Sequence, residues 1–150
     1  MTTIFQFERQ NCEDHLCIPM SVRLKLDCCG LKVTTQQWQL LLDAEKQLAM
    51  FTPCQTNLER HAYRQLIGGI IRDRTGEPAT ELLPEPNPAW LNEHSIPKRV
   101  QEAFKASDHE LTLEKWAGLT PLQRFALIKL TRPGHEMTSK FRQALQEFGL

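Results

Sequence analysis

Two short stretches set the strongest constraint on this chain. VTTQQW at residues 33–38 is echoed by LTLEKW at 111–116, 78 positions later. At the same offset Ile18-Pro19 aligns with Ile96-Pro97, Val22 with Val100, and Tyr63-Arg64-Gln65 with Phe141-Arg142-Gln143. One unit used twice, roughly 18–70 and 96–148, accounts for these matches. Many positions between them differ, so coincidence is the competing reading. Two copies are too few for a solenoid, which needs about three or more stacked units. The expectation is therefore one all-α, mainly helical domain over residues 1–150. It would hold two pseudo-repeats of about three helices each.

The echoed letters have a local meaning. Thr34 can cap a helix, with Gln37 reaching back to the cap N–H, and Val33 and Trp38 closing a hydrophobic staple over the first turn. In the second copy Thr112 is the cap and Leu111 with Trp116 the staple, but Lys115 replaces the glutamine and the box is lost. Both tryptophans read as core anchors. Thr56 with Glu59 is another capping box, opening a helix over about 57–74 that Gly76 stops. Its inward side is expected at Leu58, Ala62, Leu66, Ile67 and Ile70. Gly68-Gly69 inside it marks close backbone packing or a weak point. Thr120 followed by Pro121 starts a helix over 121–131, with Leu122, Phe125, Ala126, Ile128 and Leu130 buried. The helix over 19–29 begins at Pro19 and ends at Gly30, which suits a left-handed cap. Between Thr34 and Phe51 a continuous helix and a break near 42–43 are equally consistent with the pattern. A last helix runs over about 138–147 with Phe141, Leu145 and Phe148.

Residues 2–8 alternate weakly and read as a short extended arm. Between the two copies lies GEPATELLPEPNPAWLNEHS, residues 76–95. Its prolines forbid a helix through most of it. Leu82, Leu83, Trp90 and Leu91 are too apolar for a free linker. An extended strap anchored by Trp90 is expected, with exposure of these side chains to a partner as the alternative.

Charge narrows the function. Eighteen basic residues balance eighteen acidic ones. That argues against nucleic-acid binding, which draws its affinity from neutralised phosphates. No apolar run reaches the roughly 18 residues of a membrane span, and the N-terminus lacks the order of a signal peptide. A soluble, cytoplasmic protein with reduced thiols is expected.

Few residues suggest chemistry. Cys12, Cys17, Cys28, Cys29 and Cys54 all fall in the first copy, and none aligns with a cysteine in the second. Their spacing is not that of a zinc knuckle or an iron–sulfur motif. Buried small hydrophobes, a metal- or cluster-related role for Cys17, Cys29 and Cys54, and thiol exchange all stay open. His135 lies in TRPGHE, 131–136, with Arg132 beside a Pro-Gly turn. Such a loop either caps helix ends or carries binding residues. No nucleophile elbow, P-loop or dinucleotide fingerprint is present.

IFQFE at 4–8, CIPMSVRLKLD at 17–27, TPC at 52–54, GEPATEL at 76–82, LTPLQRFALIKLTRPGHE at 119–136 and the terminal EFGL together resemble the nitrate reductase-associated protein family. The resemblance covers essentially the whole chain. It implies a non-catalytic protein of nitrate assimilation, with no cofactor of its own. Its partner would be apo assimilatory nitrate reductase, with molybdenum-cofactor synthesis proteins as further candidates. The implied role is maturation of that reductase by insertion of molybdenum cofactor or iron–sulfur cluster. Cys17, Cys29 and Cys54 match the family pattern, as do Arg132 and His135. Trp90, Leu91, Arg132 and His135 are the candidate partner contacts. The competing functions are a metal- or iron–sulfur-carrying protein for cluster or electron transfer, a small enzyme of cofactor synthesis, and a helix-turn-helix regulator.

Overall fold

The computed structural model describes residues 4–11, 17–133 and 139–150. The chain is mainly helical, with one two-stranded sheet among the described residues. In chain order the elements are α1 (Gln6–Asn11), α2 (Met20–Cys29), β1 (Leu31–Lys32), α3 (Thr35–Gln39), α4 (Asp43–Phe51), α5 (Asn57–Thr75) and β2 (Thr80–Glu81). A 3-10 turn (Ala89–Leu91) follows, then α6 (Lys98–Ala106), α7 (Leu113–Gly118), α8 (Pro121–Leu130) and α9 (Ser139–Glu147). The chain divides into two compact units, Met1–Phe5 with Cys12–Glu85, and Gln6–Asn11 with Pro86–Leu150.

The helix starts follow the local chemistry of the sequence. Thr34 accepts from the Gln37 N–H at 3.1 Å while the Gln37 side chain accepts from the Thr34 N–H at 2.9 Å. The same reciprocal pair opens α5 at Thr56–Glu59 and α8 at Thr120–Gln123. Thr112 accepts from the Lys115 N–H at 3.2 Å without the return bond. Three starts in the second unit, Lys98, Leu113 and Pro121, follow Met20, Thr35 and Asp43 at the offset of the sequence echo. The first half carries one helix more than expected, because the chain breaks at 40–42. There the Leu42 N–H donates to the Glu45 carboxylate at 2.8 Å and a new helix begins.

In the first unit, Val22, Leu26, Trp38, Tyr63, Ile67 and Ile71 build one continuous core. The buried stripe of α5 is Tyr63, Ile67, Ile70 and Ile71, rotated from the expected one. Leu58 is exposed instead. Tyr63 can lie inside because its hydroxyl donates to the Ala49 carbonyl at 2.7 Å, so the ring is buried without orphaning its polar tip. A Cβ at Gly68 or Gly69 would meet nothing within 4 Å. Close backbone packing is therefore not the reason for that pair.

In the second unit, Phe104, Trp116, Phe125, Phe141 and Leu145 are fully buried. Phe104 and Phe141 meet edge to face at 5.6 Å. Burying one such side chain stabilises the fold by roughly 1.5–3 kcal/mol. The expected extended arm is in fact α1 from Gln6 onward. The Glu147 carboxylate accepts from the Gln6 and Phe7 N–H groups at 3.0 and 2.9 Å, capping this short helix from α9. Phe7 stacks edge-on against Phe148 at 6.1 Å. On α8 the buried side is Arg124, Phe125, Ala126, Leu127 and Leu130, whereas Leu122 and Ile128 are only half-buried.

Candidate functional site

Residues 80–85 of the first unit are held in place from below. β2 pairs antiparallel with β1, Leu31 opposite Glu81 and Lys32 opposite Thr80. One residue on, the Leu82 N–H donates to the Gly30 carbonyl at 2.8 Å. Gly30 has φ of 79°, the left-handed region, and a Cβ there would collide with the Leu82 carbonyl and lie 3.2 Å from the Pro84 ring. Glycine at position 30 thus serves two ends, closing α2 and letting the strap approach. Arg64 of α5 pairs with Glu81 at 3.0 Å on the same stretch. On this tethered backbone Leu82 is 47% exposed and Leu83 97% exposed.

In the second unit Trp90 is anchored. Its ring meets Phe125 edge to face at 5.1 Å, and its carbonyl accepts from Arg124 Nε at 2.7 Å. Leu91, next to it, is 58% exposed. The Trp116 indole N–H donates to the Asn92 carbonyl at 2.8 Å, fixing the far end of the turn. Arg132 stands half-buried just beyond α8, the helix whose Arg124 and Phe125 hold Trp90. His135 lies outside the described residues.

The cysteines divide three ways. Cys17 is disulfide-bonded. Cys28 is a half-buried free thiol, and Cys29 and Cys54 are buried free thiols. Cys29 closes α2 and Cys54 sits in the loop between α4 and α5. Cys29 Sγ donates to the Leu26 carbonyl at 3.5 Å, and Cys54 Sγ to the neighbouring Lys25 carbonyl at 3.6 Å. The two sulfurs thus rest on consecutive carbonyls of one helix turn. When Cys29 ionises, the neighbouring Cys54 thiol can turn its one proton from the Lys25 carbonyl to it, which holds Cys29 below the ordinary thiol value; the same interaction, with burial, raises Cys54. Burial raises Cys28. Lys25 donates to the Met50 and Thr52 carbonyls at 2.6 and 2.8 Å, and burial lowers its own pKa. Among the described residues no group of three His, Cys, Asp or Glu side chains could hold a metal ion. Cys12 lies outside them.

The family described as conserved nitrate reductase-associated protein matches residues 4–148. The chain belongs to that family. No curated protein and no solved structure matches the chain. None of its helices, among the described residues, is long and apolar enough to cross a membrane.

Sequence reasoning missed Arg124. It is 2% exposed, and its Nη1 donates to the Leu119 and Trp116 carbonyls at 2.6 and 3.3 Å. In the sequence it is one polar letter inside an amphipathic helix, and nothing there signals burial. Cys29 and Cys54 were among the thiols singled out, but their approach to one turn of α2 was not legible, since 25 residues separate the two.

Proposed function

We propose that this family member is a non-catalytic accessory factor that binds nitrate reductase in its apo form and supports insertion of molybdenum cofactor or iron–sulfur cluster. Family membership supports the link to nitrate reductase. Leu83 carries the binding part of the reading. A leucine 97% exposed is ordinary on a mobile loop. Here it is held out by a strand pair, a glycine-dependent close approach and the prolines that follow it. An apolar side chain on a pre-ordered backbone loses little entropy when a partner covers it, so its burial is retained as affinity. Leu82 flanks it. In the second unit Leu91, beside the anchored Trp90, is the second proposed contact, with Arg132 and His135 as polar contacts. Open apo forms of large cofactor enzymes expose complementary apolar surface. Tyr63 lies in the interior, where its hydroxyl is taken up by the Ala49 carbonyl and serves packing.

The test is the reductase expressed with and without this chain, scored for activity and for molybdenum and iron per reductase. Activity and metal content should rise together when the chain is present. Leu83→Glu should abolish that rise and co-purification with the apo reductase while leaving the variant's own melting temperature unchanged. Equal activity and metal content without the chain would end the maturation reading. Retained binding by Leu83→Glu would move the contact elsewhere.

A further inference from the structure

We propose that Cys29 and Cys54 form a reversible dithiol–disulfide pair, oxidised by hydroperoxides, that ties the last turn of α2 to the loop between α4 and α5. The placement carries it. Their sulfurs sit on the adjacent carbonyls of Leu26 and Lys25, at 3.5 and 3.6 Å. Each is a free thiol in the structure. The loop bearing Cys54 is drawn onto α2 by Lys25, which holds the Met50 and Thr52 carbonyls, so its approach to α2 does not depend on the cysteines themselves. The second half of the sequence carries no counterpart of the two cysteines. At the sequence-echo offset, Cys29 corresponds to Ser107 and Cys54 to Arg132. Both thiols are nearly covered, at 4% and 6% exposure. That screens out bulky disulfide reagents and admits a small peroxide during local opening of the loop.

The chemistry balances with hydrogen peroxide as the named oxidant. Cys29 sulfur attacks one peroxide oxygen and the O–O bond breaks. The departing oxygen takes the Cys29 proton and leaves as water, giving a sulfenic acid at Cys29. Cys54 sulfur then attacks the Cys29 sulfur and the S–O bond breaks. The hydroxyl leaves with the Cys54 proton as a second water. Two thiols lose two electrons, one peroxide gains two, and the S–S bond forms. The Cys54 thiol, able to turn its proton toward an ionised Cys29, favours Cys29 as the attacking sulfur. The inference stands independently of the maturation role.

The experiment uses the full chain, one equivalent of hydrogen peroxide, and peptide mapping by mass with and without dithiothreitol. A Cys29–Cys54 cross-link about 2 Da lighter than its dithiol peptides is expected, separate from the disulfide at Cys17 and removed by dithiothreitol. The oxidised chain should unfold at higher urea. Cys28→Ser should form the same cross-link. Cys54→Ala should instead accumulate a dimedone-trapped sulfenic acid at Cys29. The wild-type map decides the matter even if a variant folds poorly. A cross-link to Cys28, or Cys29 and Cys54 still fully alkylatable after peroxide, would overturn the proposal.

Discussion

Arg124 of α8 donates through Nη1 to the Leu119 carbonyl at 2.6 Å, inside a guanidinium site that is 2% exposed. Its other acceptors are the carbonyls of Trp116 and Trp90. The Trp116 carbonyl also receives the Leu119 N–H at 3.2 Å, so the Leu119 and Trp90 carbonyls depend most on the guanidinium. Arg124→Met should therefore orphan buried carbonyls and cost roughly 2–4 kcal/mol, read from urea unfolding. Arg124→Lys should recover only part of this, because one ammonium nitrogen cannot stand where both Nε and Nη1 stand. Equal stability of the methionine variant would show that water replaces the guanidinium at no cost.

Gly68 and Gly69 predict the opposite sign. They lie inside α5, with helical backbone and open space where a Cβ would stand. Each alanine removes unfolded-state freedom and should add about 0.5–1 kcal/mol. The urea midpoint should rise for either single variant. A fall for either would mean that α5 needs a glycine for a reason its neighbours do not reveal.

These two cases mark where the sequence was legible. Caps were readable because they are local: Thr34, Thr56 and Thr120 each find their partner three residues on. The α5 stripe was misplaced because Tyr63 counts as half-polar until Ala49, fourteen residues earlier, takes its hydroxyl. The extended arm became α1 because its capping carboxylate, Glu147, comes from the other end of the chain. Of the strap, the anchoring of Trp90 was expected from its size, whereas the presentation of Leu83 depends on Gly30, more than fifty residues before it. Cys29 and Cys54 were named with Cys17, but that these two sit on adjacent carbonyls of α2 was out of reach for the same reason. Long-range partners leave no periodic trace.

Acid should weaken the fold through Glu45. Arg74 donates to its carboxylate at 2.8 and 3.0 Å, and this bond, with the Leu42 N–H, holds Glu45 below the ordinary carboxylate value. A depressed folded value means that the stabilisation is present above the unfolded pKa of about 4.3 and is lost as pH falls through the folded value. Urea midpoints across acid pH should drop more steeply for the wild type than for Glu45→Gln, which starts lower at pH 7. Arg74 is 38% exposed, so high salt should narrow the gap. Parallel curves for the two proteins would remove Glu45 from the acid limb.

The second-unit echo of the first capping box offers a gain. Thr112 receives the Lys115 N–H at 3.2 Å, yet no side chain returns to its own N–H as Gln37 does for Thr34. Lys115 stands mid-way along the six-residue α7, so its charge gains or loses little from the helix dipole. Lys115→Gln should complete the box, remove the charge and raise stability by about 0.3–1 kcal/mol. Thr112→Ala should cost about 1 kcal/mol. The glutamine gain should shrink but survive in the Thr112→Ala background, because the return bond uses the backbone N–H at 112 and only the hydroxyl is gone. A gain that vanished there entirely would assign the benefit to the threonine geometry. A gain unchanged by Thr112→Ala and abolished by salt would assign it to the removed charge alone.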